Sequence, residues 1–207
     1  MNNLEIKNQN GRSMIEMLGV LAIIGVLSVG GIAGYSKAMQ KYRINKTIEQ
    51  ITLIAGNIRA FWGPQKNYEG VSCYCSNGSC YGQSGRDGCP ILKKAKIFPD
   101  EMVELDSDGK LTDIKNIWGN GIEVATDIAP DEKAFWIMSS YPPDACIELI
   151  SHDWRNANIE YIFTDRTNHT SGTEIKSFDN FPISIDDAAE YCTTDDGYEV
   201  LVDFVFK

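Results

Sequence analysis

Glu16 is the only charged residue between Ser13 and Ser36, and twenty uncharged residues, Met17 to Ser36, follow it. A carboxylate at the rim of so long an apolar run is expensive in hydrocarbon, so its presence points to a function, chiefly pairing with a cation. Three other groups have residue types that do chemistry. Cys73, Cys75, Cys80, Cys89, Cys146 and Cys192 all lie beyond the apolar run and offer disulfides or thiolate ligands. Asp106, Asp108 and Asp113 surround Gly109 in a pattern with some flavour of a calcium loop. His152 and His169 are the only imidazoles.

Spacing narrows these options. Zinc knuckles favour gaps of two to four residues in paired sets, which the one-, four- and eight-residue gaps from Cys73 to Cys89 do not match. The aspartate stretch lacks the third Asp/Asn before the glycine and the closing glutamate of an EF-hand, so it reads as an Asp-Gly turn between strands. No Gly-x-Ser-x-Gly, Gly-Lys-Ser/Thr or His-Glu-x-x-His is present. The expectation is a protein without catalytic residues, metal or cofactor. An even cysteine count beyond a membrane or export segment indicates disulfides in an oxidising compartment, outside the cytoplasm.

The elements that must position these groups begin with a helix. About 20 apolar residues suffice to span a bilayer, and Ile15 to Ala33 carries only Glu16 as a charge. A cleaved secretory signal would have a basic leader and a shorter apolar core, whereas Met1 to Gly11 holds one Lys and one Glu. The run passes without a break into an amphipathic pattern. Ile44, Ile48, Ile51, Ile54, Ala55 and Ile58 recur at helical spacing, with Lys41, Asn45, Glu49 and Arg59 between them. The spacing predicts one helix of roughly 50 residues from Arg12 to Trp62, about 75 Å long, ended by Gly63-Pro64. Its first half, 12–36, belongs in lipid or in a bundle of like helices. Its second half, 37–62, docks on a globular head, 63–207. Gly30 and Gly34 form a small-xxx-small pair that allows close helix approach.

Charge follows the same division. Residues 63–207 carry 12 basic and 26 acidic side chains, while residues 12–62 carry six and two. An acidic head argues against nucleic-acid binding and suits attraction between the head of one copy and the stem of another. Lys37, Lys41, Arg43 and Lys46 on the far side of the apolar run would, by the charge rule alone, keep the head in the cytoplasm. The cysteines place it outside.

Within the head, residues 63–100 read as a long loop stapled by cysteines, with a short helix from Cys89 before Phe98-Pro99. Trp118-Gly-Asn-Gly is a turn feeding a strand over Ile122–Thr126, and Ala134–Ser139 is a second strand. A helix over Ala145–Arg155 is predicted with Asp144 as its N-cap, and a strand over Ile159–Thr164. A short helix over Ile185–Tyr191 opens at Ser184 or Asp186. The last strand, Tyr198–Phe206, puts Val200, Val202, Phe204 and Phe206 on one face. The fold class is therefore α+β, a long helical stem packed on an antiparallel sheet.

Gly11-Arg-Ser-Met-Ile-Glu16 ahead of the apolar run resembles the processing site of type IV prepilins. The Trp118-Gly-Asn-Gly turn, Cys146 after Tyr-Pro-Pro and Cys192 before the last strand look like a type IVb pilin head. The resemblance implies a leader of residues 1–11, cut after Gly11 by prepilin peptidase, and methylation of the new amino terminus at Arg12. It implies that Glu16 neutralises the amino terminus of a neighbouring subunit in a helical homo-oligomeric filament, built at the inner membrane by pilus assembly machinery and displayed at the cell surface. It further implies a Cys146–Cys192 disulfide around a variable, exposed region. Two positions depart from the family pattern: Arg12 replaces an apolar residue, and Ala33 stands where many members bend the helix with proline. Arg12 is also placed to pair with Glu16 at i,i+4. For the remaining cysteines, neighbours two apart in an extended chain do not bond. That leaves Cys73–Cys80 with Cys75–Cys89, or Cys73–Cys89 with Cys75–Cys80. The rival readings are a pseudopilin of a secretion system, and a bitopic membrane protein with an extracytoplasmic binding ectodomain.

Overall fold

A computed structural model describes residues 14–65, 67–82, 89–126, 133–165, 176–178, 181–193 and 199–207. Helix α1 runs unbroken from Met14 to Trp62 and gives way to a single 3-10 turn, Gly63–Gln65, at the expected Gly-Pro. Contacts divide the chain into two compact units, Met1–Lys41 and Tyr42–Lys207. The division falls inside α1, because the helix residues from Ile44 onward share the core of the second unit.

That core is built on a five-stranded antiparallel sheet in the order β5-β6-β9-β7-β8. Its strands are β5 (Ile122–Thr126), β6 (Phe135–Tyr141), β7 (Ile159–Asp165), β8 (Lys176–Phe178) and β9 (Val200–Phe206). Alternation sets the faces: Phe135, Ile137, Ser139 and Tyr141 on β6 are buried, as are Val200, Val202, Phe204 and Phe206 on β9. Register brings Phe135 opposite Phe206, and their rings stack at 5.2 Å. Ile51, Ile54, Ile58 and Trp62 of α1 complete the same cluster. Fully burying an Ile or Phe side chain contributes about 1.5–3 kcal/mol, so this stripe accounts for the helix remaining attached to the sheet.

Among the described residues, four short strands lie outside the sheet. β1 (Tyr74–Ser76) and β2 (Ser79–Tyr81) form a hairpin inside the stretch expected to be loop. Its turn is Asn77-Gly78, both at positive φ, the strongest short hairpin signal in the chain. β3 (Val103–Leu105) and β4 (Leu111–Ile114) form the second hairpin, closed by the Asp106–Gly109 turn.

Among the described residues the head has three helices: α2 (Cys89–Lys94), α3 (Pro143–Ile150) and α4 (Ile185–Cys192). α4 opens at Ser184, whose hydroxyl accepts the Asp187 amide at 3.1 Å. α3 differs from expectation at both ends. Pro142 occupies the N-cap position with no side-chain cap, and Asp144 sits in the first turn, where its charge suits the helix dipole. The helix stops at Ile150 instead of Arg155. Its last carbonyls are taken by side chains: Ser151 Oγ donates to Ile147 O at 2.7 Å and Trp154 Nε1 to Leu149 O at 2.7 Å.

Candidate functional site

Every residue of α1 from Met14 to Ala38 is exposed. Ile15 is 76% exposed, Leu27 68% and Ile32 70%, on different sides of the helix. The segment is long and apolar enough to cross a membrane. An apolar surface of this length far exceeds the few hundred Å² that soluble proteins tolerate, and a helix apolar all round belongs in lipid or among other helices. Glu16 lies in its first turn, where the helix dipole favours a carboxylate. Gly11 and Arg12, the expected cleavage position, lie outside the described residues. Gly19, Gly25, Gly30, Gly31 and Gly34 have open space where a Cβ would stand, so the helix surface at these positions is free for close packing.

From Tyr42 the same helix is fixed to the head by polar groups as well as by its isoleucines. Arg59 is the principal one. Its guanidinium donates to Lys207 O at 3.0 and 2.8 Å, to Ala157 O at 2.9 Å and to Asn158 O at 2.8 Å. It also lies 5.3 Å from the Phe206 ring centroid and 6.0 Å from that of Phe135. One side chain thereby joins α1, the turn before β7 and the end of β9. Arg59→Ala is expected to cost about 2–3 kcal/mol, the range for bonds to a charged donor. At this chain size that lowers the melting temperature by roughly 4–12 °C, read by circular dichroism in detergent. Arg59→Lys should recover less than half, because an ammonium cannot fork to three carbonyls.

Further contacts along the helix are weaker or more local. Asn57 Nδ2 donates to Ile97 O at 3.0 Å and Trp118 Nε1 to Thr47 Oγ1 at 3.1 Å. Lys46 reaches Glu101 at 3.0 Å and Glu49 at 3.3 Å. The hydrogen bond to Glu101 raises the Lys46 pKa, and the same bond holds the Glu101 carboxyl below its usual range. Both groups are solvated, so the pair adds little to stability and is screened by salt.

The turn before β5 is held by a buried asparagine. Asn116 Oδ1 accepts from Trp118 N at 2.8 Å and Asn120 N at 3.0 Å, and its Nδ2 donates to Ser139 Oγ at 2.9 Å. Gly119 in this turn has φ +92°, which a side chain would strain. Tyr141 is fully buried beside it, and burial pushes its phenol upward.

The six cysteines form three disulfides: Cys73–Cys89, Cys75–Cys80 and Cys146–Cys192. With all four early cysteines paired, no thiolate is left there for zinc. Cys75 and Cys80 face each other across the β1–β2 hairpin, and Cys146–Cys192 ties α3 to α4. Asp106 is committed to its turn, its Oδ1 accepting Asp108 N at 3.0 Å and Lys110 N at 2.8 Å. Asp113 instead faces Lys115 at 3.0 Å. Among the described residues no three acids, cysteines or histidines converge on a metal position. His152 falls after α3, its ring 4.9 Å edge-on to Trp154. His169 lies outside the described residues.

Sequence reasoning singled out Glu16 and the cysteines but gave Arg59 only a place between apolar positions. Its partners lie about 98 to 148 residues away, and no local pattern marks such a contact. Asn116 was missed too, although its Asn-x-Trp-Gly-Asn-Gly setting carries a turn signal.

No protein-family model matches the chain, and no curated protein matches it. Among solved structures, it is similar to the crystal structure of a type IV b pilin from Salmonella typhi. The TM-score is 0.54 at 18% sequence identity, covering 79% of this chain and 99% of that one. The likeness is one of fold: a long N-terminal helix packed on antiparallel sheets, the type IV pilin fold.

Proposed function

We propose that this chain is the structural subunit of a type IV pilus. It enters the inner membrane through the apolar half of α1, is cut after Gly11 by prepilin peptidase, and polymerises through that helix into an extracellular fibre for adhesion, aggregation, conjugation or motility. The observation that carries this reading is the exposed, wholly apolar half of α1, with Glu16 in its first turn, on a head of pilin fold. Once out of the bilayer such a surface must be covered, and identical helices are the partner always available to it. In that low-dielectric core Glu16 pairs with the amino terminus of a neighbouring subunit, which selects register because an unpaired carboxylate there is costly. The three disulfides suit a head that works in an oxidising environment.

Mass analysis of the amino terminus of the cell-derived chain tests the proposal. The expected result is a methylated chain starting at Arg12. An intact Met1 in the assembled protein would remove the reading, since the leader would then sit inside the helix bundle.

A further inference from the structure

Asn-Gly is the dipeptide at which a backbone amide most readily attacks the side chain before it, because glycine has no Cβ to crowd its own nitrogen. The chain has three such pairs, Asn10-Gly11, Asn77-Gly78 and Asn120-Gly121. The first lies outside the described residues. The other two sit in turns that treat the asparagine in opposite ways. Asn77 and Gly78 are the two loop residues of the β1–β2 hairpin, both exposed, at φ +51° and +73°. Ser76 pairs with Ser79 across the turn, so the Gly78 amide stands beyond the last rung of the ladder. The hydrogen bond of such a turn joins its first and fourth residues and leaves the Gly78 N–H out. Asn120 is held from several directions. Its Nδ2 donates to Ser140 O at 2.9 Å, its backbone N to Asn116 Oδ1 at 3.0 Å, and its carbonyl accepts from Asn116 N at 2.8 Å. Gly121 is bridged to Lys115, and its carbonyl accepts from Ser139 Oγ at 2.6 Å.

We propose that Asn77 is a site of spontaneous deamidation in the folded chain and that Asn120 is protected from it. Gly78 N, once hydroxide has taken its proton, attacks Asn77 Cγ. The N–Cγ bond forms, the Cγ–Nδ2 bond breaks, and the amide nitrogen leaves as ammonia with a proton from water. The product is a cyclic succinimide. Water then adds to either ring carbonyl and opens the ring to aspartate or isoaspartate. The sum consumes one water and releases one ammonia, with no oxidation or reduction. Ring closure needs rotation about the Asn77 Cα–C bond and a solvated amide, and both are local to the hairpin tip. At Asn120 the same rotation must first break the bonds to Ser140 and to Asn116, a residue only 5% exposed. The reaction adds a carboxylate at a solvated position of a chain whose net charge is −10. Cys75–Cys80 lies one rung below the turn and keeps the two strands joined whichever product forms. The change therefore alters the charge and shape of the tip and leaves the head folded.

Incubation of the full chain in maltoside micelles at mildly alkaline pH tests the site. Samples are digested with pepsin in acid, where the reaction is slow, and the peptides are followed by mass spectrometry, with isoaspartate separated by chromatography. Asn77 should convert progressively. Asn120 should convert at least about tenfold more slowly, because hydrogen bonds that must open first raise its barrier by about 1.4 kcal/mol or more. In guanidinium with the disulfides reduced, the two rates should come within about threefold of each other, since the fold is what separates them. Asn77→Gln, whose longer side chain closes its ring far less readily, should remove the conversion at this position. Equal rates at Asn77 and Asn120 in the folded chain would overturn the proposal. So would an unchanged Asn77 over a period in which the unfolded chain converts there.

Discussion

Glu16→Ala is expected to abolish incorporation of the chain into filaments while leaving the head folded. The two effects separate because Glu16 lies on the exposed part of α1, whereas the first buried residue of that helix is Ile44. Removing the carboxylate takes nothing from the core, so the melting temperature should stay within about 2 °C of the parent, the range for surface substitutions. In a filament core the same change leaves a neighbour's amino terminus as an uncompensated charge. Breaking a buried pair in this way costs about 3–5 kcal/mol, or a factor of roughly 10² to 4 × 10³ at each subunit addition. Such a penalty repeats along the fibre, so yield should fall to background, with the chain retained in the membrane. The measurement is the ratio of sheared surface filaments to membrane-bound subunit. Normal filament yield from Glu16→Ala would sink the assigned role.

The second large effect is expected from the double change Cys146→Ala, Cys192→Ala. This disulfide spans 46 residues, against 16 for Cys73–Cys89 and 5 for Cys75–Cys80. Loop-entropy arithmetic gives about 4, 3 and 2 kcal/mol respectively. At this chain size, the loss of about 4 kcal/mol lowers the melting temperature by roughly 8–16 °C. The structural reason is local. Cys146 and Cys192 are fully buried where α3 meets α4. Without the bond, α4 is the element expected to detach first, visible as rapid amide exchange over residues 185–192. A decrease below about 3 °C, or a larger decrease from removing Cys75–Cys80, would contradict this ordering.

Much of this architecture is legible in the sequence, for reasons that differ by element. Helix α1 is legible because apolar composition and 3.6-residue spacing are local properties, and Gly63-Pro64 stops a helix wherever it occurs. β9 is legible because period-two alternation at Val200, Val202, Phe204 and Phe206 is likewise local. The β1–β2 hairpin was hidden by its three-residue strands, although Asn77-Gly78 marked its turn. The early end of α3 was hidden because Ser151 and Trp154 compete for its final carbonyls, a matter of side-chain geometry and not of propensity.

By itself, the sequence determined a bilayer-length helix with one carboxylate at its rim, an α+β head and six cysteines placed beyond that helix. Each of these depends on composition or on contacts a few residues apart. Only the tertiary structure decided which cysteines pair and that Arg59 closes the helix onto the last strand. Those depend on strand order and register, which bring together residues dozens to more than a hundred positions apart. Strand order is set by which apolar faces bury best together, a property of the whole chain that no local window contains.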